Sequence, residues 1–289
     1  MPHRGIAFLG TSEFAAVVLR RLARSPHRPA LVVTRPDRPK GRGRRMASPP
    51  VADAARELGI ALEQPEDVTG LELREHEHVA VVAFGAMLSE PLLSHPGLRN
   101  VHPSLLPRWR GAAPIERAIM AGDAVTGVTI MGMVAELDAG PIYLQEAVPI
   151  GDEDDYGALS ERLAALGGEL LLRALDEGPG GRDPLPQPAE GVTYAAKITA
   201  DDRRLDPARS PAENARVVRA LSPHVGAKAG DLGAWRAAPV DAQVKPGETA
   251  IRDGALLWGC AGGALELLEV QPPGGRRMPA ADYARGLHA

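Results

Sequence analysis

Residues 78–85 read HVAVVAFG, an apolar run uninterrupted between His78 and Gly85. A half-solvated strand alternates polar and apolar side chains, so an unbroken run of this length is a strand buried on both faces. Such a strand needs helices above and below its sheet, and the neighbouring sequence supplies them. Residues 5–10 (GIAFLG) are a second compact run. Ser12 then stands where it can cap a helix whose Phe14, Val17, Val18 and Leu22 share a face. Residues 31–33 make another buried strand, Ala52, Ala55 and Leu58 mark a helix, and a strand is expected near 99–102. A helix over 113–121, β-rich segments at 127–134 and 141–150, and a long periodic helix over 159–175 follow. This alternation specifies an α/β fold with a Rossmann-like N-terminal domain.

The pattern changes after the long helix. Residues 177–187 (EGPGGRDPLPQ) hold three glycines and three prolines, a density at which no regular element survives. Beyond a helical stretch around 212–221 come short strands at 250–252, 255–258 and 265–269, separated by Asp253-Gly254 and Gly262-Gly263. Short strands spaced by turns predict a small antiparallel β-barrel resembling an OB fold. The expected division is an N-terminal domain over 1–182, a linker over 183–203 and a C-terminal domain over 204–289.

Composition excludes several classes. The 289 residues are 44% hydrophobic and 24% charged, enough to bury a core, so global disorder is out. No window approaches the ~18 unbroken apolar residues of a membrane-spanning helix. The opening MPHRGIAFLG lacks the regions of a secretory signal. The single cysteine, Cys260, forms no intrachain disulfide, and with eight scattered histidines no metal site is expected. The expectation is a soluble cytoplasmic protein, monomeric and without membrane association.

A net charge of −4 names no partner, but its distribution is uneven. Between Thr34 and Pro50 lie Arg35, Arg38, Lys40, Arg42, Arg44 and Arg45, opposed only by Asp37. Four prolines and two glycines in the same window argue for a long, exposed, mobile loop without a helix. Loops of this length between a strand and a helix are unusual unless they serve function. Arginines contact phosphates and read guanine edges, so an RNA partner suits the segment. A solvated basic run is the plainer meaning of the same residues.

Candidate chemistry lies in residues 100–111, NVHPSLLPRWRG. Asn100 and His102 are two apart, so on a strand both point to one side, and Pro103 ends that strand at the carboxyl edge of the sheet. Doubly wound folds place ligands at that edge. An amide and an imidazole converging there can donate hydrogen bonds to an oxygen that becomes negative during acyl transfer. Asp138, in the turn ELDAGP over 136–141, can orient the imidazole or relay a proton. Spacing alone equally describes an ordinary edge-strand pair and a turn-forming aspartate. The first turn, LGTSEFA, lacks the G-x-G-x-x-G spacing of a dinucleotide oxidoreductase.

The run NVHPSLLPRWRG, continuing into AAPIERAI, resembles the signature of the folate-dependent formyltransferases. The likeness covers most of the chain: GTSEF at 10–14, TRPDRPKGRGRRMASP at 34–49, GVTIM at 127–131, LDAGP at 137–141 and YAAKI at 194–198. The histidine-containing run is shared with members acting on purines and sugars. The RWRGAAPI extension and the basic loop resemble those whose acceptor is initiator methionyl-tRNA. This resemblance implies that Asn100, His102 and Asp138 form the catalytic set, transferring formyl from 10-formyltetrahydrofolate without a metal. It implies a folate site at Phe84, Gly85, Ala86, Met87 and Leu88, at Ser104, Leu105, Leu106 and Pro107, and at Val134 and Leu137. It also implies that Arg35, Arg38, Lys40, Arg42, Arg44 and Arg45 meet the tRNA. An amino sugar or another small amine is the alternative acceptor. The chain departs from the pattern at Arg35, where glutamine is common, at Ala139, where threonine is usual, and at SPHVGA over 222–227.

Overall fold

The chain begins its described structure with a strand buried at every residue, β1 (Ile6–Gly10). The computed structural model describes residues 5–40, 45–178 and 183–287. After β1 come α1 (Glu13–Ala23), β2 (Pro29–Val33), β3 (Arg38–Lys40), β4 (Arg45–Ala47), α2 (Pro50–Leu58), β5 (Ala61–Glu63), β6 (His78–Val82) and β7 (Leu98–His102). Next are β8 (Arg110–Gly111), α3 (Pro114–Ala121), β9 (Val125–Met131), β10 (Ile142–Pro149), α4 (Tyr156–Asp176) and β11 (Tyr194–Ala195). The last stretch holds α5 (Pro211–Leu221), β12 (Ala227–Ala229), β13 (Leu232–Val240), β14 (Thr249–Arg252), β15 (Ala255–Cys260), β16 (Gly263–Gln271), β17 (Met278–Pro279) and α6 (Ala280–Gly286).

Contacts divide the chain into two units. One gathers Met1–Gly111, Thr126–Val148 and Ser160–Tyr194; the other Ala112–Val125, Pro149–Leu159 and Ala195–Ala289. The first unit is built on a sheet of order β10-β9-β7-β6-β1-β2-β5. From β7 to β5 the pairs are parallel, and β9 runs antiparallel to β7. All five residues of β1, β6 and β7 are buried, as a sheet covered on both faces requires. The strand order reverses beside β1, which lies between β6 and β2. Their carboxyl ends therefore open a crevice of the kind that binds ligands in such sheets.

Two expectations for this unit are corrected. The apolar run at 78–85 is strand only to Val82. Ala83 and Gly85 take positive φ (42° and 74°), which a strand cannot continue through, and Phe84 turns back into the core. The basic loop is not without structure: β3 and β4 form an antiparallel hairpin in which Arg38 faces Ala47 and Lys40 faces Arg45. A two-stranded ribbon consists of edges only, so Pro39 is tolerated in it. Arg42 and Arg44 lie outside the described residues.

Helix boundaries follow their capping chemistry. Ser12 is extended and its hydroxyl accepts from the amide of Ala15, capping α1 as its sequence position implied. In α4, Gly167 and Gly168 each cost about 1 kcal/mol of helix propensity. They are there for clearance. A β-carbon at Gly167 would come within 2.9 Å of Val101 on β7, and one at Gly168 within 3.0 Å of Arg21. Among the described residues no helix is long and apolar enough to cross a membrane.

The second unit carries the sheet β12-β13-β16-β15-β14, antiparallel throughout, with β17 added to β16. It is a curled half-barrel, more open than a closed barrel, because its edge strands β12 and β14 are short and unpaired with each other. Its core includes Leu221, Trp258, Leu265 and Val270. Helix α5 opens with a capping box between Ser210 and Glu213. Fully buried Asn214 both accepts from the amide of Asp206 and donates to its carbonyl, fixing the chain ahead of the helix. Arg117 grips Asp202 with both terminal nitrogens (2.7 and 3.0 Å), and these hydrogen bonds hold the Asp202 carboxyl well below the usual carboxylate range.

His78 opens β6 at 4% exposure, and burial pushes its imidazole down to about 4 from 6.5. The folded protein keeps it neutral where the unfolded chain takes up a proton. Stability is therefore full above pH 6.5 and falls as pH drops toward 4, by up to about 3 kcal/mol for this group. Urea unfolding across that range will show a steeper acid loss in the native protein than in His78→Met.

Candidate active site

Asn100 and His102 leave the sheet from the carboxyl end of β7, opposite Met131 and Thr129 of β9. They are 8% and 4% exposed, so both polar groups sit in a largely dry setting. The His102 ring is held at one nitrogen: Nε2 lies 2.8 Å from the carbonyl oxygen of Trp109. A carbonyl can only accept, so Nε2 carries a hydrogen and donates it. The other nitrogen, Nδ1, faces the Oδ2 atom of Asp138 at 3.7 Å. That separation is too long for a hydrogen bond but short enough for both groups to touch one further atom.

The carbonyl that fixes His102 is itself positioned with care. Trp109 takes φ +65°, a left-handed conformation uncommon for a bulky residue. Its amide donates to Thr193 Oγ1 at 2.9 Å, and the next amide, of Arg110, donates to the Thr193 carbonyl at 2.9 Å. Earlier in the loop, Ser104 Oγ donates to the Arg108 carbonyl, while the Thr129 hydroxyl donates to the Ser104 carbonyl and accepts from the Leu106 amide. Gln145 adds hydrogen bonds to Leu106 and Thr129.

Asp138 comes from the excursion between β9 and β10, closed at its base where the Gly132 amide donates to the Pro141 carbonyl. Its backbone is also left-handed (φ +47°), and its Oδ2 accepts from the Gly111 amide at 2.8 Å. Gly140 packs so tightly here that a β-carbon would sit 1.9 Å from the Gly132 carbonyl oxygen. His102, at the end of β7, and Asp138, from the β9–β10 excursion, therefore face each other across segments braced by backbone contacts.

The remaining sequence candidates divide by placement. Phe84, Leu88, Ser104 and Leu106 are buried, at 7% exposure or less; Phe84 and Leu88 belong to the core, and Ser104 Oγ is used inside its own loop. Gly85, Met87, Val134 and Leu137 are exposed, Met87 at 92%. Ala86, Leu105 and Pro107 are half-buried. Arg35 is half-buried, while Arg38 and Arg45 are exposed. Arg35 and Arg38 line a cleft of about 400 Å³ with Thr11, Ser12, Ser48 and Gly85, at the strand-order reversal beside β1. Asp37, the one acid of this segment, accepts from Gln64 and Ser48, and those bonds lower its carboxyl. Its charge thus serves to hold the hairpin base together. Among the described residues no group of three or more His, Cys, Asp or Glu could hold a metal ion.

Comparison with known proteins decides the lineage. Residues 4–175 match the family described as "Formyl transferase", and residues 197–288 match "Formyl transferase, C-terminal domain". A methionyl-tRNA formyltransferase of Aromatoleum aromaticum is 43% identical over 98% of this chain and 94% of its own. One of Methylococcus capsulatus is 44% identical over 96% of this chain and 95% of its own. The chain belongs to the methionyl-tRNA formyltransferase family. Its fold recurs in HypX from Aquifex aeolicus, solved in complex with tetrahydrofolic acid. That match has TM-score 0.65 and 20% identity, covering 96% of this chain and 46% of that one. It recurs too in the sugar 3N-formyl transferase WlaRD, at TM-score 0.69 and 15% identity, covering 90% and 95%.

Sequence reasoning passed over the residues that hold the site together. Thr193 and Gln145 were not singled out, and Arg110 was only a letter in a longer motif. Arg110 is 7% exposed, with Nε donating to Gln187 and NH1 to Glu136. A buried arginine needs partners, but nothing in the sequence says where they stand. Gly140→Ala will lower folding stability by on the order of 2 kcal/mol, measured by urea unfolding, because its new methyl displaces backbone.

Proposed function

We propose that this chain transfers the formyl group of 10-formyltetrahydrofolate to the α-amino group of methionyl-tRNA charged on the initiator, serving translation initiation in the cytoplasm. The observation that carries the catalytic assignment is the approach of Asp138 to His102 at 3.7 Å, at the end of the buried strand that carries Asn100 two residues earlier. The attacking amine adds to the formyl carbon, whose oxygen gains negative charge; collapse of that adduct breaks the bond from the formyl carbon to N10, which takes up a proton and leaves as tetrahydrofolate. The Asn100 carboxamide and the protonated His102 ring supply donors to that oxygen in a site of low exposure, where such donors act most strongly. Nε2 of His102 is committed to Trp109, so its Nδ1 edge serves the reaction. Asp138 faces that edge, supports a proton there, and takes part in removing the proton the amine sheds.

The residues present suit a folate. Met87, Val134 and Leu137 leave apolar surface uncovered on segments neighbouring the catalytic loops, and a flat aromatic ring system can cover it. Ala86 and Met133 pack on one core cluster, so the two segments share a foundation. The tRNA assignment rests on the hairpin: Arg35, Arg38, Lys40, Arg42, Arg44 and Arg45 supply phosphate and base-edge donors, and Asp37 is occupied within the fold. We place the catalytic domain at 1–182, a linker at 183–203 and a tRNA-holding domain at 204–289, acting as a monomer.

The test is formyl transfer to initiator methionyl-tRNA, with elongator methionyl-tRNA, free methionine and an amino sugar as parallel acceptors. Selective formylation of the initiator is expected; preference for the sugar would overturn the assignment. Asn100→Ala and Asp138→Asn should each lower kcat by ~10²–10³-fold. Replacing Arg35, Arg38 and Arg45 by serine should raise KM for tRNA at least ten-fold and leave that for folate unchanged, with a weaker dependence of tRNA binding on salt.

A further inference from the structure

We propose that Gln187 is a positioning residue for the formyl-transfer reaction, holding Asp138 in its reactive place from a segment with no regular structure. The inference rests on the assignment of Asp138 as catalytic. Gln187 Nε2 donates one hydrogen to the Asp138 carbonyl at 2.7 Å and the other to the Gly140 carbonyl at 2.8 Å. Its Oε1 accepts from Arg110 Nε at 3.0 Å. Both carbonyls can only accept and the guanidinium can only donate, so the amide has one orientation, with both of its hydrogens committed. Arg110 is anchored in turn, through NH1 to Glu136 at 3.1 Å and through its amide to Thr193.

The geometry needs such a clamp. Asp138 is a non-glycine residue at φ +47°, a left-handed conformation uncommon outside glycine and steadied by bonds from its surroundings. Among the described residues the side chain has a single backbone partner, Gly111, on the oxygen facing His102. The main chain from Asp138 onward is gripped by the Gln187 amide, at the carbonyls of Asp138 and Gly140. Gln187 is itself seated by the neighbouring Leu185, whose amide and carbonyl exchange two hydrogen bonds with Ile142 (2.9 and 2.7 Å). The strap therefore runs along the returning limb of the Asp138 excursion, bonded to it at residues 138, 140 and 142. Loss of the clamp lets the turn relax toward a more favourable φ, which swings the carboxylate away from His102 Nδ1.

The experiment is steady-state formylation by the full chain carrying Gln187→Met, which removes all three hydrogen bonds at similar length and no charge. A second variant, Gln187→Glu, keeps the acceptor for Arg110 but places carboxylate oxygen against two carbonyls. Asp138→Asn and the double variant Asp138→Asn with Gln187→Met complete a cycle. We expect both Gln187 variants to lower kcat on the order of 10-fold to 100-fold, with KM for tRNA and folate within about two-fold. The double variant should be no slower than Asp138→Asn alone, since the clamp acts through that carboxylate. A loss carried by KM, or multiplicative losses in the double variant, would overturn the proposal. So would an active Gln187→Glu beside an inactive Gln187→Met, which would assign the effect to Arg110 instead. If Gln187→Met fails to fold, the glutamate variant and Gln187→Asn carry the same test. An Asp138→Asn enzyme at full rate would instead remove the catalytic assignment underneath.

Discussion

Burial of β1, β6 and β7 on both faces is the constraint from which the rest follows. Strands covered on both sides cannot display polar side chains along their length without large desolvation penalties. Polar side chains are therefore pressed toward the point where each strand emerges. For β7 that point is Asn100 to His102, and Pro103 enforces the exit. For β1 and β6 it is the turn to Ser12 and the left-handed pair Ala83 and Gly85, which meet in the cleft shared with Arg35 and Arg38.

At those exits, order is imposed by side chains bonding to backbone. Thr129 serves Ser104 and Leu106, Thr193 serves Trp109, and His102 is fixed through a carbonyl from its own loop. Each of these loops contains a backbone conformation that costs energy. None relies on packing alone. The second unit uses the same device, with Asn214 bonded to both backbone groups of Asp206.

Much of this was readable in advance because it depends on local physics. The periodicity of residues 14–22, the Ser12 cap and the strands around Val81 and Val101 all follow from neighbours in sequence. The spacing of Asn100 and His102 against Pro103 placed both at a strand end. What the sequence hid depends on long-range or torsional facts. The strand at His78 stops early because Ala83 adopts positive φ, and alanine gives no warning of that. The arginine segment pairs with itself as a hairpin although its prolines argue for loop. Gln187 stands in a stretch that composition describes only as irregular, yet its amide meets residues 47 and 49 positions earlier. The small antiparallel barrel expected from short, turn-spaced strands is found as a curled half-barrel; how far it curls depends on whether its edge strands meet, which turn spacing does not encode.

The tie between Leu185 and Ile142 bears on synthesis as well as on the finished fold. A chain emerging from the ribosome has every strand of the large sheet, and the side chains of Asn100, His102 and Asp138, once Pro149 is out. It still lacks the strap. Until Gln187 has been made and has left the exit tunnel, the turn at Asp138 is held by the Gly111 and Gly132–Pro141 bonds without its third tie. The proposed clamp thus arrives late in translation, supplied by an irregular segment near the end of the first unit.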